Sequence, residues 1–143
     1  MKVYVAGKFT DKEKIRGYMD ELEKLGHTIT HDWTSFKPTY DEDDLFMGDE
    51  NQGEDMEQSA IHNIQGIRDA DAVVCIMEDK KYAYRGTFTE LGCAIGLKKE
   101  IILMCPEPDA ICRTNCFFHH PDITRVDYWT QVLEIFDMMN TFS

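Results

Sequence analysis

Short apolar runs alternate with amphipathic stretches along this chain, and the alternation predicts its elements in turn. Val3, Tyr4, Val5 and Ala6 predict a strand from Lys2 to Ala6, ended by Gly7. Thr10-Asp11-Lys12-Glu13 has the form of a capping box, in which a hydroxyl and a carboxylate satisfy free amides at a helix start. Ile15, Tyr18, Met19, Leu22 and Leu25 follow at helical spacing, and Gly26 stands where a C-cap belongs. His27 to His31 alternates as a strand does. From Trp33 to about Gly53 the pattern reads as a long loop. A second helix is predicted from near Asp55 to Arg68, with Ala60, Ile64 and Ile67 facing inward. Ala72 to Met77 (AVVCIM) is continuously apolar, as a strand buried on both faces must be. Thr87 to Leu97 reads as a third helix, Ile101 to Cys105 and Ile123 to Val126 as strands. Val132, Leu133, Ile135, Phe136 and Met139 mark a closing helix.

Strands alternating with helices imply a parallel sheet covered on both faces. The expected fold class is α/β: a single domain over residues 1–143, a flavodoxin-like or Rossmann-like three-layer sandwich with strands in the order 2-1-3-4-5. In that order the switch point lies between the first and third strands, and ligands bind beyond their carboxyl ends. Gly7, Lys8 and Phe9 fall there, as do Glu78, Asp79 and the start of the Thr87 helix.

Composition narrows the setting. At 143 residues the chain suits one complete core, and 43% hydrophobic with 29% charged residues describes a globular protein. No stretch approaches the roughly 20 apolar residues of a membrane helix, and the first residues lack signal-peptide architecture, so a cytoplasmic location is expected. Five cysteines, three of them inside apolar runs, suit reduced thiols better than a disulfide framework. Cys112, Cys116, His119 and His120 hold zinc-type donors, but their C-x3-C-x2-H-H spacing is unfamiliar and adjacent histidines rarely share one ion; no metal is expected. The net charge of −12 is concentrated: nine acids and no Lys or Arg lie between Pro38 and Ile67. Such a surface repels polyanions and argues against a duplex nucleic-acid binder, while leaving a single nucleotide in a pocket open. The stretch is too long for an ordinary connection and is expected near the pocket mouth, its acids in solvent.

Gly86-Thr87-Phe88-Thr89-Glu90-Leu91-Gly92 carries the most chemistry. On spacing alone, Thr87-x-x-Glu90 is a further capping box and Gly92 eases packing on the sheet. Alternatively, Glu90 lies in the first helical turn, points into the crevice and is kept ionised by the positive helix end, as a nucleophile must be. Tyr4 reads, from the pattern alone, as a strand aromatic packed on a helix. Asp71 reads, from the pattern alone, as a cap at the entry to a buried strand. Trp33 and Phe9 are core or stack on a planar ligand, and Lys8 decorates a turn or steers a phosphate.

Three segments then carry a resemblance. Val3-Tyr4-Val5-Ala6-Gly7-Lys8-Phe9-Thr10-Asp11, Asn63-Ile64-Gln65-Gly66-Ile67-Arg68-Asp69-Ala70-Asp71 and Thr89-Glu90-Leu91-Gly92 resemble the signatures of the nucleoside 2-deoxyribosyltransferase family, which includes deoxynucleoside 5′-monophosphate N-glycosidases. Asn115 to Tyr128 (NCFFHHPDITRVDY) is similar to the N-x-F-H-x-x-P tail of phage and bacterial relatives. The resemblance implies that Glu90 is the nucleophile, that Tyr4 hydrogen-bonds it, and that Asp71 works at the nucleobase. Gly7, Lys8, Phe9, Trp33, Asn63, Gly86 and Asn115 are the implied substrate contacts. Two positions depart from the family pattern: Asn63 stands where an aspartate is common, and Tyr82-Ala83-Tyr84-Arg85 stands where transferases carry a base-binding aspartate.

The implied activity is cleavage of a 2′-deoxynucleoside and transfer of the deoxyribosyl group to a free base, with no cofactor. A nucleoside or monophosphate hydrolase and a catalytically idle nucleotide-binding module are the alternatives. Partners are then a small nucleoside or nucleotide and a free nucleobase. Relatives are commonly homo-oligomers in which a neighbour completes each pocket, a role for which Asn115 or Phe117 is the candidate here.

Overall fold

The computed structural model describes residues 1–36 and 50–142. Its strands are β1 (Lys2–Ala6), β2 (Thr28–Ile29), β3 (Ala72–Ile76), β4 (Glu100–Met104) and β5 (Ile123–Val126). Its helices are α1 (Lys12–Lys24), α2 (Glu50–Asp69), α3 (Arg85–Gly96) and α4 (Trp129–Phe142). All four strand pairings are parallel, in the expected order β2-β1-β3-β4-β5. The two central strands exclude water on both faces: Val3 to Ala6 and Ala72 to Ile76 are buried throughout, as a doubly covered sheet requires.

The helices divide between the faces. Tyr18 of α1 stacks on Trp129 of α4 at 4.2 Å, and His27 meets Phe136 of α4 at 4.9 Å, which places α1 and α4 together. On the other face α2 and α3 pack on each other and on β1. Period-two alternation sends Tyr4 to the α2 side, where its ring lies against Gly66. Gly7 faces α1, and Ile15 fills the space where a side chain at Gly7 would stand. The turn that opens the switch-point crevice is therefore pressed directly onto the helix layer.

Several boundaries differ from the sequence reading. The Thr10-to-Glu13 capping box does not form: Phe9–Asp11 is a 3-10 turn, and Asp11, the N-cap of α1, makes no side-chain cap bond. β2 keeps only Thr28 and Ile29 because it is an edge strand. The chain then turns, with Thr30 donating its N–H to the Val3 carbonyl and its hydroxyl to that of Gly66. α2 begins earlier than expected and runs through Gly53, since one interior glycine costs a helix only about 1 kcal/mol. Ala60 is exposed, while Ile67 and Gly66 are buried and Ile64 packs half-buried against the core. Residues 37–49, most of the acidic loop expected at the pocket mouth, lie outside the described residues. Among the described residues, no helix is long and apolar enough to cross a membrane.

Candidate active site

A cavity of about 630 Å³ opens beyond the carboxyl ends of β1 and β3. Its walls come from the turn after β1, the segment His31 to Phe36 after β2, one face of α2 and the start of α3. Of the expected substrate contacts, Gly7, Lys8, Phe9, Trp33, Asn63 and Gly86 line it, together with Glu90. Trp33 is fixed by its indole N–H, which donates to the Val5 carbonyl at 2.6 Å, and Phe9 packs against it at 6.4 Å. Lys8 is tethered: its Nζ lies 2.8 Å from Asp79 and 3.9 Å from Asp11, and 5.1 Å from the Tyr82 ring centroid.

Glu90 sits differently from either reading of its motif. Tyr84 adopts a left-handed conformation (φ 57°) and its buried hydroxyl accepts the Asp79 N–H at 2.9 Å. That anchor starts α3 at Arg85, two residues early, and leaves Thr87 buried within the first turn. Thr87-x-x-Glu90 is thus no capping box, and Glu90 falls in the second turn, where the helix dipole is already weak. Burial dominates instead: it pushes the carboxyl up to about 7, while the Tyr4 hydroxyl draws it partly back down. Tyr4 is itself held far above the ordinary phenol range by burial and by Glu90. The Tyr4 hydroxyl and Glu90 Oε2 are both enclosed, and neither makes a hydrogen bond of normal geometry. Burying the two groups carries a desolvation cost that their mutual interaction offsets only in part.

Two sequence candidates are not brought to this cavity. Asp71 precedes β3 at the amino end of the sheet, roughly 15 Å from the crevice by strand length. Its exposed carboxylate accepts the Lys2 N–H at 2.9 Å, so it joins β1 to β3 and is a structural group. Parallel topology forces this outcome, because a residue before a strand and a residue after it lie at opposite ends. Asn115 caps the 3-10 turn Cys116–His119 by accepting the Phe117 N–H at 2.9 Å and does not line the cavity of its own chain.

Asn63, in contrast, presents an enclosed Oδ1 with no partner on the cavity wall. Gln58, Ser59 and His62 share that face of α2. The reading for inward apolar residues overlooked them, although their i, i+4 spacing (Gln58 to His62, Ser59 to Asn63) marks a polar stripe. His31 also lines the cavity with no motif around it, and Tyr82 lines it from the stretch that stands where transferases carry a base-binding aspartate.

A parallel sheet with an enclosed carboxylic acid at its switch point defines a class of small α/β enzymes, and the family can be stated. The model of the nucleoside 2-deoxyribosyltransferase family matches residues 3–134, and the chain belongs to this family of glycosyl-cleaving enzymes. No curated protein matches the sequence significantly. Among solved structures, the chain is similar to the Clostridium botulinum CMP N-glycosidase BcmB, with a TM-score of 0.59 and 16% identity over 96% of this chain and 99% of that one. At that identity the likeness establishes the shared fold.

Proposed function

We propose that the protein cleaves the N-glycosidic bond of a 2′-deoxynucleoside through a covalent glycosyl-Glu90 intermediate and transfers the deoxyribosyl group to an acceptor base. The observation that carries this reading is the Glu90 carboxyl, its Oε2 enclosed, beside the Tyr4 hydroxyl at the switch-point cavity. Attack on the anomeric carbon passes through an oxocarbenium-like state, which a 2-deoxy sugar eases by lacking an electron-withdrawing 2′-hydroxyl. Tyr4 donates to Glu90 and keeps part of it ionised. Asn63 hydrogen-bonds the base, and Trp33 and Phe9 cover its faces. Apolar walls favour a second planar base over water at the intermediate. No metal or organic cofactor enters the scheme.

A second reading, hydrolysis of a deoxynucleoside 5′-monophosphate, has one observation in its favour. No side chain caps the N-terminus of α3, and Gly86 and Thr87 of its first turn line the cavity, an arrangement suited to an anion. Lys8 speaks against it, being already paired with Asp79. Incubation with deoxynucleosides and their monophosphates, with and without an acceptor base, separates the readings by chromatography. The expected result is a new deoxynucleoside appearing faster than free deoxyribose. Preferred cleavage of a monophosphate without glycosylation of any acceptor selects the hydrolase. No turnover of any substrate selects the idle module. The proposal extends to a homo-oligomer in which Asn115 and the exposed Phe117 reach a neighbour's site; sedimentation at assay concentration tests it.

A further inference from the structure

Beyond Glu90 and Asn63, the cavity wall holds a pair of imidazoles that no motif singled out. His31, on the segment after β2, and His62, on α2, have ring centroids 5.8 Å apart. They converge because Gly66 lets α2 approach the sheet: a Cβ there would stand 2.8 Å from that of His31. Asn63 follows His62 on the helix, and Trp33 and Phe36 supply flat apolar walls beside His31. The topology sets this β2 side of the crevice apart from the β3 side, where Tyr82 and the start of α3 lie. Aromatic faces with hydrogen-bonding edges suit a nucleobase.

A departing nucleobase leaves more readily when protonated, and among the described residues the other acids of the cavity wall are committed. Glu90 is the nucleophile. Burial pushes the Asp32 carboxyl up, but the hydroxyl and N–H of Thr34 and the Arg16 guanidinium outweigh it and hold Asp32 below the usual range. Lys8 is bound to Asp79, and Asp71 is at the far end of the sheet. Resting on the reaction proposed above, we infer that His31 and His62 act together as the acid that protonates the departing nucleobase.

In the step, the C1′–N bond breaks with its electron pair passing to the base, and the C1′–O bond to Glu90 forms. The imidazolium proton goes to a ring nitrogen or carbonyl oxygen of the base, which leaves neutral, and one imidazole becomes neutral. In transfer, the acceptor base returns a proton to the pair, so the site resets without solvent. Two like charges at this spacing disfavour each other. Burial and then His62 hold the His31 imidazole below its ordinary range against the pull of Asp32.

The test compares the best-cleaved natural deoxynucleoside with its ring-halogenated analogue, whose more acidic base departs with less help. His62→Gln, at an exposed position, and the double variant with His31→Gln are measured beside wild type and Glu90→Gln. The inference expects a loss of about 100-fold or more on the natural substrate and a loss at least about tenfold smaller on the analogue. Equal losses on both substrates, or none on either, overturn it. Glu90→Gln separates the two proposals: it abolishes turnover of both substrates if the glutamate reaction holds, and retained turnover there refutes that reaction independently of the histidines.

Discussion

At the scale of single residues, the proposed function turns on one carboxyl whose surroundings work against its charge. Burial places Glu90 at about 7 rather than the ordinary 4.5, so ionisation of the free enzyme falls within the working pH range. The kcat/KM profile should therefore lose activity on the acid side with a midpoint near that value. Tyr4 lowers the Glu90 value, so Tyr4→Phe should move the acid limb to higher pH, and an unmoved limb would detach Tyr4 from the nucleophile. Stability carries the same signature with the opposite sense. A group whose folded value lies above its unfolded one contributes stability that is fully present below the unfolded value and lost as pH rises through the folded one. Denaturation of wild type should show that loss between about pH 4.5 and 7. Glu90→Gln should be more stable than wild type at pH 8, by at most about 3 kcal/mol, while having no turnover. Equal stabilities at pH 8 would mean that the carboxylate is solvated after all.

At the scale of elements, α2 is the piece on which the site depends most. Gly66 is buried, and a Cβ added there would lie 2.9 Å and 3.1 Å from Cδ2 and Cε2 of the Tyr4 ring and 2.8 Å from Cβ of His31. Neither neighbour is a free side-chain end that can swing away. Gly66→Ala should cost about 1–3 kcal/mol and lower kcat by displacing Tyr4, whereas an alanine at Gly92, with open space around it, should do neither. Urea denaturation and turnover of both variants check this. The apolar runs made β1, β3, β4 and the strand order legible in the sequence, because burial on both faces of a sheet writes itself directly into composition. Helix starts were not legible in that way. α3 begins at Arg85 because of a left-handed Tyr84 held by Asp79, a contact made by folding and absent from helical periodicity. Asp71 misled for a related reason: a short motif records proximity along the chain, and topology alone tells which end of a strand a residue occupies. Asn63, noted in the sequence both as a departure from the family pattern and as an implied substrate contact, is delivered by the fold to the cavity.

At the scale of the whole molecule, charge decides which substrates approach. The chain carries a net charge of −12, and Lys8, the lysine in the cavity wall, is neutralised by Asp79 at 2.8 Å. A neutral deoxynucleoside feels little of this field, whereas a 5′-monophosphate bears close to two negative charges and is repelled as it nears. Salt screens that repulsion over a Debye length of about 10 Å at 0.1 M. Raising ionic strength from roughly 0.02 to 0.3 M should therefore improve kcat/KM for a monophosphate relative to the matching nucleoside, and the nucleoside should change little. A phosphate cradle predicts the reverse sign. Where Lys8 and the α3 amides bind the dianion directly, salt weakens an attraction and the monophosphate becomes the poorer substrate. The ratio of the two kcat/KM values across the salt series thus distinguishes repulsion by the whole surface from attraction by the site. A falling ratio would overturn the nucleoside preference, and Lys8→Ala would then be expected to abolish the salt dependence together with the preference for phosphate.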